Sequence, residues 1–269
     1  MKAPPLSAWE QVRLARHPER PQALDFIRAL CENFQELHGD RHFGDDGAMV
    51  AGPAYFQGKP VMLIGEQKGR TTQEKLKRRF GSPQPEGYRK ALRLMQLADR
   101  FRLPILSFVD TSGAYPGIGS EERHVAEAIA SNLREMMGFS VPIIAIVIGE
   151  GGSGGALGIA VADRVLVLEH ACYSVISPEA CAVILWRDRS CAPAAAEALR
   201  LSSEHLVSWG VADEIIPEAS GGAHVNPHES FEAVRTALAK CLAEVSAWSA
   251  EERRERRHRR FRILGRTAS

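Results

Sequence analysis

In the stretch Val141-Pro-Ile-Ile-Ala-Ile-Val-Ile-Gly-Glu-Gly-Gly-Ser-Gly-Gly155, a continuous apolar run leads directly into a glycine-rich run. The apolar residues 141–148 have the length and composition of a strand that is buried on both faces. The same order occurs earlier, where the apolar stretch 104–109 leads into Asp110-Thr-Ser-Gly-Ala-Tyr-Pro-Gly-Ile-Gly119. Two buried strands that each end in glycines before a helix predict a layered α/β fold.

The chain on both sides extends this alternation of strands and helices. Two apolar stretches, 48–56 and 61–67, flank the turn-forming residues Gln57-Gly58-Lys59-Pro60, which predicts a hairpin. Spacing and turn residues predict the remaining elements of the main fold as helices at 86–101, 121–137, 178–186, 192–199 and 202–209 and strands at 164–169 and 211–216.

Helices are also predicted at both ends of the chain. Ser7 and Glu10 form a capping box that starts a helix ending at His17, and residues 21–37 carry apolar side chains at helical spacing. The end of the chain is rich in arginine, which is typical of a frayed, solvated helix end. The predicted domains are an N-terminal helical extension at 1–38, the main domain at 39–248 and an arginine-rich tail at 249–269.

The composition excludes several classes of protein. The chain has 269 residues, 45% of them hydrophobic, and its 34 Lys and Arg face 33 Asp and Glu. A net charge of +1 does not favour nucleic-acid binding by the whole molecule. No apolar run is long enough to span a membrane and no signal-peptide core opens the sequence, so we expect a cytoplasmic protein. The five cysteines lack a CxxC pair and the histidines lack HExxH, so we expect reduced thiols and no metal site.

The two glycine-rich runs predict binding sites for negative charge. Glycines between a strand and a helix expose backbone N–H groups to a ligand, and the helix dipole favours an anion there. Such amides form an oxyanion hole when they point at an oxygen that gains charge during a reaction. The alternative is that the glycines serve only tight turns and close packing of helices.

Other functions fit the glycine runs less well. Gly149, Gly151 and Gly154 have the GxGxxG spacing of a dinucleotide site, with Glu169 near the ribose-binding distance. Too few residues separate Gly154 from the next strand for a Rossmann crossover helix. No Lys-Ser or Lys-Thr follows the glycines, so the run is not a P-loop, and Ser153 lacks the GxSxG spacing of a nucleophile.

The motifs of this chain, taken together, resemble those of one known protein family. From Trp9 to about Pro227 the sequence closely resembles the carboxyltransferase α subunits of the multi-subunit bacterial acetyl-CoA carboxylases. The stretches that carry the resemblance are Glu36-Leu-His-Gly-Asp-Arg-His-Phe43, Pro85-Glu-Gly-Tyr-Arg-Lys-Ala-Leu-Arg-Leu-Met95, Gly113-Ala-Tyr-Pro-Gly117, Gly149-Glu-Gly-Gly-Ser-Gly-Gly-Ala-Leu157 and Tyr173-Ser-Val-Ile-Ser-Pro-Glu179.

The resemblance implies a fold, a reaction and partners. The fold is the crotonase-like spiral of repeated ββα units, with helical N-terminal and C-terminal extensions. The reaction transfers the carboxyl group of carboxybiotin, held on a carrier protein, to acetyl-CoA and gives malonyl-CoA for fatty acid synthesis. The implied partners are a β-type subunit with a zinc ribbon, the biotin carboxyl carrier protein and, indirectly, biotin carboxylase, in an α2β2 assembly. This chain would then hold half of the active site and no metal.

The same resemblance assigns roles to the glycine runs. Gly151, Gly152, Gly154 and Gly155 would form the oxyanion loop that faces biotin, and a Cβ at Gly154 or Gly155 is expected to obstruct it without unfolding the chain. The residues expected to bind the acyl-CoA substrate are Gly113, Ala114, Tyr115, Pro116 and Gly117 of the first run and Lys75, Arg78 and Arg79 of the basic segment 68–79. For that segment the alternative is a solvated helix surface.

Some features depart from the family pattern. Ser112 stands where the family usually has proline, and His124-Val125-Ala126 replaces a usual Gly-Gln-Ser. These changes flank the first glycine run, so a paralogue that acts on another acyl-CoA is an alternative. A second alternative is a non-catalytic protein of the same fold that regulates or binds nucleic acid through its basic segments.

Overall fold

The computed structural model describes residues 6–265, and its strands form one mixed sheet. The strands are β1 (Cys31–Glu32), β2 (Met49–Phe56), β3 (Lys59–Glu66), β4 (Ile105–Thr111), β5 (Ile143–Gly152), β6 (Arg164–Leu168), β7 (Cys172–Ser174) and β8 (Glu214–Ile216). The strand order is β1-β2-β3-β4-β5-β6-β8, and β7 pairs with the end of β5.

The first three strands run antiparallel and the rest of the sheet is parallel. The predicted hairpin is confirmed as β2 and β3, joined by Gln57 and Gly58. Every residue of β4 is buried, as expected for a parallel strand covered on both faces. The carboxyl ends of β4 and β5 therefore lie side by side, which brings the two glycine runs together.

Helices cover both faces of the sheet. They are α1 (Ala8–Ala15), α2 (Ala23–Leu30), α3 (Thr72–Lys77), α4 (Pro85–Phe101), α5 (Ile118–Glu122), α6 (Val125–Gly138), α7 (Ser153–Leu157), α8 (Pro178–Trp186), α9 (Ala192–Leu199), α10 (Ser203–Ser208), α11 (Pro227–Ala247) and α12 (Ala250–Ile263). The predicted capping box of Ser7 and Glu10 is present at the start of α1. Within residues 6–265, no helix has both the length and the apolar character needed to cross a membrane.

The helix predicted over 21–37 is too long. Helix α2 ends at Leu30, Asn33 has a left-handed φ of 53°, and the chain then runs extended beside β2. The amides of Gln35 and Leu37 donate to carbonyl oxygens of that strand at 3.0 and 2.8 Å. A Cβ on Gly52 would lie only 1.9 Å from the carbonyl oxygen of Gln35, so glycine permits this close approach. The apolar spacing of Phe34 and Leu37 reflects packing, not a helix.

The helix predicted over 121–137 is broken in two. Helix α5 ends at Glu122, and His124 takes a left-handed φ of 63° before α6 begins. Glycine adopts this conformation without strain, so the backbone at His124 is one that suits glycine better than histidine. The predicted strand at 211–216 is shorter than expected, because only its second half, β8, pairs with β6.

The prediction of a frayed, solvated end is wrong. Helix α12 packs on the main domain, and Arg257 is fully buried. Its guanidinium forms a two-point ion pair with the buried carboxylate of Asp163 at 3.0 and 2.9 Å. The predicted tail continues into residues 266–269, which lie outside the described residues.

Candidate functional site

The two glycine-rich segments contact each other backbone to backbone. A Cβ on Gly152 would lie 2.2 Å from the carbonyl oxygen of Ser112, and a Cβ on Gly155 would lie 2.5 Å from the amide nitrogen of Ala114. These distances are shorter than any real side chain tolerates, so both glycines are required for packing. The structure thus brings the candidate residues of both runs to one place, at the carboxyl ends of β4 and β5.

The second glycine segment consists mainly of the end of a strand and the start of a helix, and not of a loop. The first part of the run continues strand β5, where Glu150 and Gly151 pair with Cys172 and Tyr173 of β7. Helix α7 begins at Ser153, whose φ of 53° is unusual for a non-glycine residue. Such strained backbone often occurs at functional sites. Gly152 at the N-cap contributes no side-chain acceptor, so the first-turn amides lack the usual cap.

Gly154 has room for a side-chain atom. A Cβ at this position would find its nearest neighbour, Cγ2 of Ile129, at 3.8 Å, which is ordinary contact. Gly154 and Ser153 border a cavity of about 490 Å³. Of the predicted oxyanion residues, Gly154 is therefore the one that lines a space large enough for a ligand.

The first segment is shaped by its own side chains. The hydroxyl of Thr111 accepts from the amide of Gly113 at 3.0 Å and donates to its carbonyl oxygen at 2.9 Å. Gly113 has a φ of 141°, which other residues rarely adopt. The Tyr115 ring packs against Gly117, where a Cβ would lie 2.4 Å from the ring. The chain is thereby held in a tight loop whose next residue, Ile118, is 80% exposed.

A buried network of ion pairs joins the two strand ends that lead into the glycine segments. Nζ of Lys68 lies 2.8 Å from a carboxylate oxygen of Asp110 and 2.9 Å from one of Glu150. Arg16 contacts Glu150 at 2.6 Å and also pairs with Glu179. Asp110 in turn accepts the amide of Glu150 at 3.0 Å. The network therefore ties the end of β4 to the end of β5.

Sequence reasoning missed this network. It grouped Lys68 with the basic segment and assigned no role to Asp110 or Glu150. The available signal was that an acidic residue stands at or next to the start of each glycine run. An acidic side chain at the buried end of a strand needs a cationic partner, because an isolated buried charge is very costly.

Acid should destabilise the fold through Glu150 and Glu218. Burial opposes ionisation of both groups, but Lys68 and Arg16 beside Glu150, and His170 and Arg20 beside Glu218, lower each pKa from 4.5 to about 2. A lowered folded-state pKa contributes stability that is complete above pH 4.5 and is lost as the pH falls toward 2. We therefore expect the midpoint of urea unfolding to decrease steadily below about pH 4.5, and a pH-independent midpoint would contradict this.

The basic segment is only partly available to a ligand. Arg78 donates to the carbonyl oxygen of Gly47 at 2.6 Å, and Arg79 pairs with the buried carboxylate of Asp46 at 2.7 Å. The guanidinium of Arg79 also lies 5.8 Å from the centre of the Tyr115 ring, which places it beside the first glycine segment. Lys75 lies half-exposed on α3.

The turn at 38–43 is organised by Asp40, whose carboxylate accepts the amides of His42, Phe43 and Gly44. Among residues 6–265, no three His, Cys, Asp or Glu side chains are grouped so that they could bind a metal ion. All five thiols are free, three of them buried and two half-buried.

Comparison with known proteins shows the family of the chain. A family model described as acetyl co-enzyme A carboxylase carboxyltransferase-like matches residues 3–265. The acetyl-coenzyme A carboxylase carboxyl transferase subunit alpha of Thioalkalivibrio sulfidiphilus is 57% identical over 97% of this chain and 82% of its own length. The subunit of the same name from Thermus thermophilus is 55% identical over 97% of this chain and 83% of its own length.

Solved structures of other proteins share the fold of this chain. A Pseudomonas malonate decarboxylase hetero-tetramer in complex with coenzyme A contains a chain that matches 90% of this one with a TM-score of 0.66 and 20% identity, over 97% of its own length. The β subunit of the Pseudomonas aeruginosa geranyl-CoA carboxylase matches 93% with a TM-score of 0.65 and 17% identity, over 47% of its length. These neighbours confirm the expected crotonase-like carboxyltransferase fold. The chain belongs to the family of acetyl-CoA carboxylase carboxyltransferase α subunits.

Proposed function

We propose that this chain supplies the biotin-facing half of the carboxyltransferase site of an acetyl-CoA carboxylase. The observation that carries the proposal is the contact between the two glycine segments, with Gly154 lining a cavity at the start of α7. Amides fixed in this way donate hydrogen bonds without competing proton chemistry, which suits an oxygen that gains charge in the transition state.

The substrates fit the chemistry of the two segments. Carboxybiotin releases its carboxyl group as CO2, and the biotin anion that remains takes a proton from the methyl carbon of acetyl-CoA. The resulting enolate carbon then bonds to CO2 and gives malonyl-CoA. We assign the run that contains Gly151, Gly152, Gly154 and Gly155 to biotin, with the first-turn amides of α7 at Gly154 and Gly155 as donors to the ureido oxygen. Negative charge develops on that oxygen when the carboxyl group leaves. The segment 113–117 would bind the acyl-CoA. The protein would act by holding both substrates in line and by stabilising charge.

The proposed partners would supply the parts of the reaction that this chain lacks. We propose a β-type subunit with a zinc ribbon as the source of the second oxyanion hole, an α2β2 assembly in the cytoplasm, and delivery of biotin by a carrier protein. Large apolar side chains are exposed on α8, where Ile184 is 69% and Leu185 is 63% exposed. Exposed apolar surface of this kind is usual where subunits meet.

We expect Lys75→Glu to raise the KM for acetyl-CoA several-fold in the assembled enzyme while the thermal stability is unchanged. The reason is that Lys75, four residues before Arg79 in the same basic segment, would attract CoA phosphates, and reversal of its charge would repel them. Arg78 and Arg79 are less suitable for this test, because reversal there also breaks contacts with Gly47 and Asp46. The KM is measured by steady-state kinetics. An unchanged KM would show that Lys75 does not bind CoA and is only part of the solvated helix surface.

The proposed function is tested by mixing subunits. We expect no malonyl-CoA from this chain, acetyl-CoA and carboxybiotin alone, and turnover once the β subunit of the same organism is added. Robust turnover by the chain alone would contradict the divided site. Salt-sensitive RNA binding without turnover in the mixture would favour the regulatory alternative.

A further inference from the structure

Three arginines fix helix α12 to the domain. Arg257 is fully buried, and besides its ion pair with Asp163 it donates to the carbonyl oxygen of Phe139 at 3.0 Å. Arg253 donates to the carbonyl oxygen of Ser140 at 2.8 Å, and Arg260 donates to that of Val211 at 2.7 Å. Because a two-point guanidinium pair sets orientation as well as distance, the helix has a defined rotation about its axis.

That rotation decides which side chains face inward. Phe261 and Leu264 follow Arg257 by four and seven residues, so all three lie on one face. Phe261 packs against the hydrophobic core, whereas Ile263 is 54% exposed. The three arginines thus place Phe261 in the last turn, and Leu264 just after it, beside the domain.

These two side chains form part of the wall of the cavity beside Gly154. The cavity has a volume of about 490 Å³, and its opposite walls include Tyr173 of β7 and Trp209 after α10. None of the residues that line it carries a charge. The cavity is therefore apolar, apart from the backbone and hydroxyl groups at one side.

Of the two substrates in the proposed reaction, only biotin suits this cavity. The phosphates of CoA would lose their hydration here without gaining a cationic partner, which is strongly unfavourable. The fused ring and hydrocarbon arm of biotin are apolar except for the ureido group. With that group at Gly154, the rest of the molecule would lie against the apolar walls.

We propose that helix α12 is a specificity element of the carboxyltransferase, in which Arg257 positions Phe261 and Leu264 to contact the ring and arm of biotin. This inference rests on the proposed function and adds residues of the arginine-rich end of the chain to the site. Phe261 and Leu264 would bind the donor substrate, and Arg257 would act through them as a positioning residue.

The test uses the assembled enzyme in the reverse direction, with malonyl-CoA as donor and biocytin as acceptor. We expect Phe261→Ala and Leu264→Ala each to raise the KM for biocytin at least about fivefold, because apolar contacts are lost. The KM for malonyl-CoA should stay within about twofold, since CoA does not enter the cavity. The matched control is Ile263→Ala, on the exposed face of the same turn, which should change neither KM.

A second substitution separates binding from folding. Phe261→Trp keeps an apolar wall but fills part of the cavity, and it should also raise the KM for biocytin selectively. An unchanged KM for biocytin in the folded, assembled Leu264→Ala and Phe261→Trp enzymes would overturn the inference, as would an equal rise in both KM values. Failure of the wild-type pair to carboxylate biocytin would instead overturn the proposed function.

Discussion

Gly154→Val should reduce the kcat of the assembled enzyme about a hundredfold or more, equivalent to about 3 kcal/mol for one lost oxyanion donor. The added side chain has room, because its Cβ would lie no closer than 3.8 Å to Ile129. Because Gly154 lines the cavity that we assign to biotin, bulk at this position is expected to hinder the approach of the ureido oxygen to the amides. The prediction is checked by steady-state kinetics together with thermal unfolding of the same preparation.

Gly138→Val is the matched control for this substitution. Gly138 ends helix α6, and a Cβ there would meet nothing within 4 Å, so the same valine is added without obstruction of the site. The control should keep nearly full kcat. A normal kcat in folded, assembled Gly154→Val enzyme would refute the oxyanion role of this segment.

Gly155→Val does not separate function from folding, contrary to the expectation from sequence. A Cβ on Gly155 would lie 2.5 Å from the amide nitrogen of Ala114 and 2.7 Å from the carbonyl carbon of Gly113. These atoms belong to the backbone of the other glycine segment and cannot move independently. Substitution here should disturb the packing of both segments, so loss of activity would have two causes.

Lys68→Met should destabilise the folded chain by about 3 kcal/mol or more. The substitution leaves the carboxylates of Asp110 and Glu150 without the ammonium group that lies within 2.9 Å of both. Burial opposes the charge on Lys68, yet these two carboxylates raise its pKa above the usual value, so the lysine is charged in the folded state. Urea unfolding of the isolated chain measures the change in the free energy of unfolding.

Lys240→Met is the control for a lysine in a surface ion pair. Lys240 lies 2.8 Å from Glu214, and its side chain is 67% exposed. Exposed pairs contribute about 1 kcal/mol or less, so this substitution should change stability little. Equal effects of the two substitutions would show that the buried network does not hold the ends of β4 and β5 together.

Six of the eight strands could be predicted, because they follow simple rules, whereas β1 and β7, of two and three residues, were missed. Runs of apolar residues at 104–109 and 141–148 became the buried parallel strands, and the turn at Gln57 and Gly58 gave the hairpin. The prediction of one helix over 21–37 was wrong, because apolar side chains at spacings of three and four residues also occur in a segment that packs beside a strand. Only the pairing with β2, a contact distant in sequence, distinguishes the two.

Helix α12 shows a different limit of pattern reasoning. Its inward face contains arginine where an apolar residue is usual, so a rule that treats charge as exposed predicts a solvated surface. The buried position of Arg257 depends on Asp163 and on carbonyl oxygens at the end of α6, none of which is recognisable as a partner from local sequence. The glycine segments could be recognised from sequence as a candidate site, but their mutual contact and the ion network beside them are visible only in the structure.

The central claim is that this chain and a β-type subunit form one active site for carboxyl transfer. The most direct measurement follows radiolabel from carboxyl-labelled malonyl-CoA to biocytin, with this chain alone, the β subunit alone, the wild-type pair and the pair that contains Gly154→Val. We predict label on biocytin with the wild-type pair, none with either subunit alone and about a hundredfold slower transfer with the variant pair. Equal transfer by the β subunit alone and by the wild-type pair would contradict the claim.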